Sequence, residues 1–275
     1  MKQLDTLIKL ALAEDIGEED VTTNAIVDPN LQATAIILAK QNLVVAGLNI
    51  ARKVFEMVSK NICWNPEVED GEQCDEMTIL ARVHGLAAAL LQAERTALNF
   101  LQHLSGIATT TNLFAISVAN TKVKILDTRK TTPGLRALEK HAVLMGDGVN
   151  HRLGLYDRYL VKDNHIKIAG SITKAVEMIA NKRKPGLLLE IETENLDDVK
   201  EALACGADII MLDNMSYEDV RQAVKLVKGK AKLEVSGNVN LDTITHYAAT
   251  GVDYISVGAI THSAPAADIS MEIET

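Results

Sequence analysis

The stretch LLLEIETENLDDVKEALACGADIIMLD, residues 187–213, decides how the second half of this chain folds. An apolar run leads into Glu190 and Glu192, a segment with helical spacing follows, and a second apolar run ends at Asp213. Nearly continuous apolar runs alternating with helical segments are typical of a parallel sheet whose faces are covered. The stretch therefore predicts one β/α unit and the strand that follows it.

The same pattern recurs on both sides of this unit. Further apolar runs end in a polar residue or glycine, and they cover 124–126, 159–161, 233–235 and 254–257. Helical spacing covers 172–180, 196–204, 217–227 and 241–249. Successive run ends at 191, 212, 235 and 257 are 21, 23 and 22 residues apart.

This spacing favours a (β/α) barrel, in which active-site residues lie at the C-terminal ends of the strands. A full barrel takes about 250 residues, more than the second half provides, so we expect an incomplete, TIM-like barrel. An open doubly wound sheet is the alternative, although no Gly-x-Gly-x-x-Gly loop is present to support a dinucleotide site.

The first half has a different pattern. Short strand-like runs at 33–38 and 43–45 precede a helical segment at 48–58, which indicates an α+β arrangement with antiparallel strands. Residues 86–104 have helical spacing but are apolar on nearly all sides, which predicts burial within the protein or at a subunit interface. Arg95 lies in the middle of this segment. A buried guanidinium needs an anionic partner, either a neighbouring acid or a ligand.

Positive charge is concentrated in one segment of an acidic chain. The 275 residues carry a net charge of −9, whereas residues 122–167 hold ten Lys and Arg against five Asp and Glu. A local excess of this kind indicates an anion-binding cleft. Because the rest of the chain is acidic and only 3% of residues are aromatic, we do not expect a nucleic acid as partner.

The sequence also gives an expectation for the compartment. No apolar run approaches the roughly 18 residues of a membrane span, so no membrane partner is expected. The three cysteines, Cys63, Cys74 and Cys205, are odd in number and lack the short spacing of a zinc site. Free thiols in a reducing cytoplasm are the expected state.

The side chains at the predicted strand ends fall into chemical groups. The cationic group can bind carboxylates and phosphates, and it comprises Arg129, Lys130, His151, Arg152 and Lys162. Glu192 and Asp213 can ligate Mg²⁺ or accept from sugar hydroxyls, although neutralising nearby cations is an equally simple role. Two segments rich in small residues suit a phosphate site at the last two strand ends, namely Ser236-Gly237-Asn238 and Val257-Gly258-Ala259. His165 is expected to hydrogen-bond within its own loop.

Several long motifs resemble quinolinate phosphoribosyltransferase, and they occur in the order of that family. They are Leu126-Asp127-Thr128-Arg129-Lys130-Thr131-Thr132-Pro133-Gly134-Leu135-Arg136, Asn150-His151-Arg152-Leu153-Gly154-Leu155, Lys162-Asp163-Asn164-His165-Ile166, Val235-Ser236-Gly237-Asn238 and Ile255-Ser256-Val257-Gly258-Ala259. The similarity extends to the first half, in Glu14-Asp15-Ile16-Gly17 and Glu94-Arg95-Thr96-Ala97-Leu98-Asn99. Ordered motifs along nearly the whole chain are far more specific than one short pattern.

The resemblance implies an α/β fold, with an N-terminal α+β sandwich domain over residues 1–106 and an incomplete barrel over residues 107–275. The C-terminal tail is then free to pack back on the first domain. The family also implies a homo-oligomer, at least a dimer, in which each active site is completed across the interface. Arg95 would reach the quinolinate of the partner subunit, which would explain an arginine inside an apolar helix.

The resemblance also implies the reaction and the role of each candidate residue. Phosphoribosyl would pass from phosphoribosyl pyrophosphate to quinolinate with loss of CO₂, giving nicotinate mononucleotide for NAD biosynthesis. Thr128, Arg129, His151 and Arg152 would hold the base, with Lys130 and Lys162 near both substrates. Glu192 and Asp213 would meet the ribose hydroxyls and Mg²⁺. The 5′-phosphate would lie against Ser236, Gly237, Asn238, Val257, Gly258 and Ala259.

One departure from the family pattern and one alternative function stay open at this point. Residues 145–148 read Met-Gly-Asp-Gly where the family commonly has Cys-Gly-Gly-Gly, so Asp147 either points away from the anion pocket or pairs with a local cation. The alternatives are a barrel that binds phosphorylated anions without turning them over, and a related phosphoribosyltransferase with a different base. The acids Glu192 and Asp213 favour the enzyme, because a simple anion binder could dispense with them.

Overall fold

The structure is a computed structural model that describes residues 2–274. Its contacts divide the described chain into two compact units. The first unit comprises residues 2–112, 133–147 and 264–274, and the second comprises residues 113–132 and 148–263. The position predicted for the domain boundary, residue 106, lies inside the helix Ala87–Ser117. We refer to the two groups of residues as unit 1 and unit 2.

Unit 1 is an α+β structure with an antiparallel sheet. Its main sheet has the order β12-β1-β5-β3, formed by β1 (Gln32–Ala39), β3 (Cys63–Pro66), β5 (Ile79–Leu86) and β12 (Ile269–Glu274). A two-stranded ribbon joins β2 (Leu43–Val44) to β4 (Gln73–Cys74). The helices of this part are α1 (Lys2–Ile16), α2 (Val21–Ile26), α3 (Leu48–Val58), α4 (Ala87–Ser117) and α5 (Arg136–Met145). The α+β arrangement predicted from the first half of the sequence is confirmed.

The chain end returns to this sheet as its edge strand. β12 pairs with β1 in antiparallel register from Ala39↔Ile269 to Thr34↔Glu274. Gly106 makes the approach possible, because a Cβ there would lie 2.0 Å from the carbonyl oxygen of Pro265. The N–H of Ala267 also donates to the carbonyl of Gln102 over 2.9 Å. A side chain at residue 106 would therefore displace the segment that leads into β12.

Unit 2 contains a six-stranded parallel sheet in the order β6-β11-β10-β9-β8-β7. The strands are β6 (Lys124–Leu126), β7 (Tyr159–Val161), β8 (Leu189–Thr193), β9 (Ile209–Asp213), β10 (Lys232–Ser236) and β11 (Tyr254–Ser256). The helices are α6 (Asp163–Ala169), α7 (Ile172–Ala180), α8 (Leu196–Ala204), α9 (Tyr217–Val227), α10 (Ile244–Ala248) and α11 (Ala259–His262). A single parallel bridge, Leu126↔Val149, extends the β6 edge. The α/β class with parallel strands in the second half is confirmed, and no pairing between β6 and β7 closes the sheet within residues 2–274.

Local sequence explains why the β/α units form where they do. In β9, Ile209 to Leu212 are all buried, as expected for a strand covered on both faces. The helices begin at side-chain caps: Asn195 accepts from the backbone N–H groups of Asp197 and Asp198 before α8, and Ser216 caps α9. The predicted helices 172–180, 196–204 and 217–227 match α7, α8 and α9 residue for residue. The helix expected at 241–249 is shorter, because α10 begins only at Ile244.

One strand end differs from its prediction. The apolar run was expected to end at residue 191, but β8 continues through Glu192 to Thr193. The two glutamates are two residues apart in a strand, so their side chains lie on the same face of the sheet. None of the helices within residues 2–274 has the length and apolar character needed to cross a membrane.

Candidate active site

A pocket of about 560 Å³ opens in unit 2, at the C-terminal ends of its strands. Its lining comprises Thr128, Arg129, Lys130, His151, Arg152, Leu160, Lys162, Glu192, Met211, Asp213, Asn214, Ser236, Gly237, Asn238 and Ser256. All four cationic Lys and Arg residues predicted from strand ends 126 to 162 are therefore at one pocket, together with both predicted acids. The C-terminal strand ends are the position at which barrels place their active sites.

The residues that follow β6 form one side of the pocket. The N–H of Lys130 donates to Oγ1 of Thr128 over 3.0 Å, which closes a tight turn around Arg129. The hydroxyl of Thr261 in α11 donates to the carbonyl of Lys130 over 2.8 Å and ties this turn to the last strand end. Gly258 leaves room for the lysine stem, since a Cβ there would lie 3.0 Å from Cδ of Lys130. The backbone around Lys130 is therefore held from two neighbouring strand ends.

Arg152 is the most deeply placed cation of the pocket. Only 7% of the residue is exposed. Burial, and next the charge of Arg129, lower the pKa of Arg152 from its ordinary value. Two guanidinium groups close enough to repel each other are stabilised when an anion binds between them. This part of the pocket is therefore suited to a ligand with carboxylate or phosphate groups.

The two predicted acids lie at the ends of neighbouring strands. Oε2 of Glu192 on β8 lies 2.8 Å from Nζ of Lys162, which follows β7. Oδ2 of Asp213 on β9 accepts from Nδ2 of Asn214 over 2.7 Å. Within residues 2–274, Oε1 of Glu192 and Oδ1 of Asp213 make no hydrogen bond. Both residues line the pocket, and this donor set fits a hard cation such as Mg²⁺.

The segment predicted to bind phosphate is only partly at the pocket. Ser236, Gly237 and Asn238 line it, and Gly237 has φ +99° while Asn238 has φ 50°. A Cβ on Gly237 would lie 2.2 Å from Oδ1 of Asn214, which also accepts from Nδ2 of Asn238 over 3.2 Å. The turn thus requires glycine both for its conformation and for its contact with Asn214.

The other predicted phosphate residues are not among the lining residues. Val257 is 2% exposed, and neither Gly258 nor Ala259 is among the lining residues. Ser256 takes the place at the pocket surface instead. The helix that follows the Ser236 to Asn238 segment was expected from residue 241 and begins at Ile244. Backbone N–H groups of the turn itself are therefore the donors available there.

Three further expectations concern residues outside the pocket lining. Arg95 lies in unit 1 with 57% of its side chain exposed and a 4.0 Å contact to Glu94. Its guanidinium is therefore not buried within the single chain, and burial at a subunit interface stays a prediction. His165 does hydrogen-bond locally, because its Nδ1 accepts from the N–H of Lys162 over 3.0 Å. Asp147 is exposed, and among the described residues no ion pair involves it. Its side chain points to solvent rather than to a local cation.

The sequence interpretation missed the buried acids beneath the pocket. Glu190 on β8 and Glu234 on β10 are both fully buried, and both lie within salt-bridge distance of His151. A signal for them is present in the sequence. Glu190 is two residues before Glu192, and Glu234 is two residues before Ser236, so each lies on the face that carries the pocket residue but one layer deeper.

Comparisons with known proteins agree with this arrangement. A family model described as "Quinolinate phosphoribosyl transferase, C-terminal domain" matches residues 107–272, and the model of the corresponding N-terminal domain matches residues 20–105. A protein of Bacillus subtilis (strain 168) named "Probable nicotinate-nucleotide pyrophosphorylase [carboxylating]" is 41% identical over 271 residues, which are 98% of this chain and 93% of that protein.

A plant protein and a solved structure have nearly the same sequence identity to this chain. "Quinolinate phosphoribosyltransferase [decarboxylating] 1b" of Nicotiana tabacum is 40% identical over 99% of this chain and 83% of its own length. The crystal structure of NadC from Streptococcus pyogenes superposes with a TM-score of 0.96 at 41% identity, covering 99% of this chain and 97% of that one. With two family models spanning most of the sequence and relatives matched almost from end to end, this chain belongs to the quinolinate phosphoribosyltransferase family.

Proposed function

We propose that this protein transfers the phosphoribosyl group of phosphoribosyl pyrophosphate to the nitrogen of quinolinate and releases CO₂. The products are nicotinate mononucleotide and pyrophosphate, and the reaction supplies NAD biosynthesis. The base carries two carboxylates and the other substrate carries several phosphates. A strongly cationic pocket in an otherwise acidic chain matches this pair of substrates.

The observation that carries the proposal is the order of charges around the pocket. Along the sheet from β7 to β6, the strand ends contribute first Lys162, then Glu192 and Asp213, then the turn at Gly237, and finally Lys130 with its neighbours. Cations therefore lie at the two edges and carboxylates between them. A reaction that separates a cationic ribose from an anionic leaving group needs both signs of charge in one site.

The first step joins the two substrates. The lone pair of the quinolinate nitrogen forms a bond to ribose C1, and the bond from C1 to the pyrophosphate oxygen breaks with its electrons on the leaving oxygen. Lys130 and Lys162 would stabilise the charge that develops on pyrophosphate, while Glu192 and Asp213 would face the oxocarbenium-like ribose. Arg129 and Arg152 would orient the ring through its carboxylates. No protein nucleophile is required, so positioning and charge supply the catalysis.

The second step removes the 2-carboxylate. The bond between ring C2 and the carboxylate carbon breaks, CO₂ leaves, and the electron pair stays on C2 next to the cationic ring nitrogen. A proton then replaces the carboxyl group. Because the pyridinium nitrogen stabilises the electron pair, this step needs no further electron acceptor from the protein.

Mg²⁺ is proposed as the cofactor, held by Glu192 and Asp213. The metal would supply positive charge at the pyrophosphate oxygens. In support, each carboxylate keeps one oxygen without a hydrogen bond to the residues described above. The Ser236 to Asn238 turn would take the 5′-phosphate through its N–H groups.

We further propose a homo-oligomer, at least a dimer, in which Arg95 completes the site of the partner subunit. Exposure supports this idea: the Arg95 side chain lies outside the pocket of unit 2, and apolar side chains of the same helix are exposed, namely Leu91, Leu113 and Ile116. Such exposed apolar residues suit an interface. Mixing Arg95→Ala protein with Arg129→Ala protein should restore part of the activity through hybrid oligomers. If subunits exchange and no activity returns, the shared site is wrong.

A direct assay tests the reaction. Purified protein is incubated with Mg²⁺, phosphoribosyl pyrophosphate and quinolinate labelled in the 2-carboxylate. We expect labelled CO₂ and nicotinate mononucleotide in equal amounts. Turnover of another base, or binding of both substrates without products, would contradict the proposal and favour one of the two alternatives. A cytoplasmic location stays a prediction, supported by three cysteines that form no disulfide.

A further inference from the structure

Four ionisable side chains meet at the base of the pocket. They are His151, Arg158, Glu190 and Glu234, and both glutamates are fully buried. Of these, only His151 lines the pocket. Buried ionisable groups are costly unless they are paired and hydrogen-bonded, so a cluster of this kind calls for an explanation.

The hydrogen bonds of His151 define what its ring can do. Its Nδ1 accepts from the backbone N–H of Arg152 over 2.7 Å. A ring nitrogen that accepts carries no proton, so the proton of the neutral ring is on Nε2. Nε2 lies 3.2 Å from Oε2 of Glu190, which is the acceptor for that proton. Both ring nitrogens thus have partners inside the protein.

The charge within the cluster is balanced by an arginine. Nη1 of Arg158 lies 2.9 Å from Oε2 of Glu190 and 3.4 Å from Nε2 of His151. The ligand atoms of His151, Glu190 and Glu234 lie within 4.8 Å of one another, a spacing that could hold a metal ion. The Arg158 guanidinium already provides the positive charge in that space. Burial would raise the pKa of Glu190, but hydrogen bonds from His151 and Arg158 outweigh it and lower the pKa.

Hydrogen bonds hold Arg152 both at its backbone and at its guanidinium. Its backbone N–H is bound by His151, and Nη1 of its guanidinium donates to the carbonyl of Arg158 over 3.4 Å. The chain between them is closed by Asp157, whose carboxylate accepts from the N–H groups of Leu153 and Gly154 over 2.6 and 3.1 Å. The direction of the Arg152 side chain therefore depends on His151 and Arg158, and both are anchored on Glu190.

We propose that Glu190, Arg158 and His151 are positioning residues that aim Arg152 at the carboxylates of the base, and that His151 acts through Arg152 rather than by touching the substrate. This inference rests on the proposed function, because it assigns Arg152 to the base and not to the phosphates. It predicts a selective effect. Loss of the anchor should weaken the use of quinolinate and leave the use of phosphoribosyl pyrophosphate nearly unchanged.

The test compares Michaelis constants for the two substrates in Glu190→Gln and Arg158→Gln proteins. We expect the KM for quinolinate to rise about tenfold or more in each, with less than about a twofold change in the KM for phosphoribosyl pyrophosphate. Arg158→Lys, which keeps the charge opposite Glu190, should recover most of the loss. Glu56→Gln is the control, because it removes the acid of another Arg–Glu pair, Arg52–Glu56 on α3 in unit 1, and both constants should stay at the wild-type level.

Folding is checked by circular dichroism and thermal melting before kinetics. If both glutamine variants fail to fold, Arg158→Lys provides the test. Its KM for quinolinate should rise by a smaller factor, about threefold, and its KM for phosphoribosyl pyrophosphate should not rise. Equal rises in the KM for both substrates, or a wild-type KM for quinolinate in folded Glu190→Gln protein, would overturn the inference. If wild-type protein shows no turnover of quinolinate, the proposed function has failed instead. Calorimetric binding of quinolinate to wild type and Glu190→Gln then still tests whether the anchor controls Arg152.

Discussion

Nζ of Lys162 lies 2.8 Å from Oε2 of Glu192, and these residues end the neighbouring strands β7 and β8. The pair is at the mouth of the pocket, with 45% of the lysine side chain but only 10% of the glutamate side chain exposed. The lysine can therefore turn toward a bound pyrophosphate, whereas the carboxylate stays in place. The two charges of this pair thus neutralise each other before substrate binds, and both are available afterwards.

This pair leads to the first prediction. Lys162→Gln should lower kcat by about 10²-fold or more, because the charge that develops on the leaving group loses a preorganised cation. The melting temperature should change little, because the Lys162 side chain is 45% exposed and an ion pair at such a position contributes little stability. Lys167→Gln is the control, because Lys167 pairs with Asp163 within the same helix, α6, and its side chain is 71% exposed. Steady-state kinetics on both proteins measure the difference, and an equal loss in the control would contradict the role of Lys162.

A second prediction concerns the turn at Gly237. Gly237→Ala should raise the KM for phosphoribosyl pyrophosphate about ten- to a hundredfold, because the new methyl group would displace Asn214 from the pocket. Gly206→Ala is a matched control: it has φ +73° but no atom within 4 Å of the added Cβ. Both substitutions place alanine in the left-handed region, at a cost of about 1–2 kcal/mol. Similar losses of stability are expected, but only the first protein should lose substrate affinity.

The strands of unit 2 show what the period and spacing of apolar residues can and cannot predict. The strand ends at Asp213 and Ser236 were predicted because apolar runs stop there, and the helices followed from regular apolar spacing. Glu190 was not recognised as buried, because an acid next to an apolar run is ordinarily the end of a strand. Its burial depends on Arg158 and His151, which are 32 and 39 residues away in the sequence. Such tertiary pairing is not visible in local patterns.

Arg95 illustrates a different limit. A helix that is apolar on nearly all sides predicts burial, yet the pattern does not say which protein atoms cover each face. In the single chain the guanidinium is exposed, and its neighbour Leu91 is 37% exposed. Family resemblance, and not helical periodicity, supplied the expectation of a partner subunit. The complementation experiment therefore tests information that the pattern of apolar residues does not contain.

A third prediction uses the buried acid Glu234. Burial, and next the charge of Glu190, raise the pKa of Glu234 well above its ordinary value of 4.5. The folded state therefore holds this proton more tightly than the unfolded state, and the resulting stability is lost as pH rises from 4.5 through the folded-state pKa. Glu234→Gln cannot titrate. The free energy of unfolding of Glu234→Gln protein, relative to that of wild type, should therefore rise by up to about 1.4 kcal/mol per pH unit across this range.

Urea denaturation of both proteins from pH 4.5 upward measures this difference. Acids distant from Glu234 cancel in the comparison, so the slope reports Glu234 together with its neighbour Glu190. The hydrogen bond between Ser256 and Glu234 can be kept by the glutamine amide, which limits other effects of the substitution. A difference that does not depend on pH would show that Glu234 titrates alike in both states.

The last prediction concerns Asp70 in unit 1, which has two separable roles. Its Oδ1 accepts from the N–H groups of Gly47 and Leu48 over 3.0 Å and so caps α3, while Oδ2 lies 3.4 Å from Nε2 of His141 on α5. The hydrogen bond to Asp70 raises the pKa of His141. The ion pair therefore stabilises the fold fully below about pH 6.5, and this contribution is lost as pH rises through the raised value.

Two substitutions at this position separate the roles. Asp70→Asn keeps an oxygen for the cap but removes the charge, so wild type should exceed it in stability more at pH 6 than at pH 9. Asp70→Ala should lose a further 1 kcal/mol or so at either pH, because the helix cap is also gone. Thermal and urea unfolding measure both differences, with the exposed Asp75→Asn as control. A gap between wild type and Asp70→Asn that stays constant across this range would mean that His141 does not sense the carboxylate.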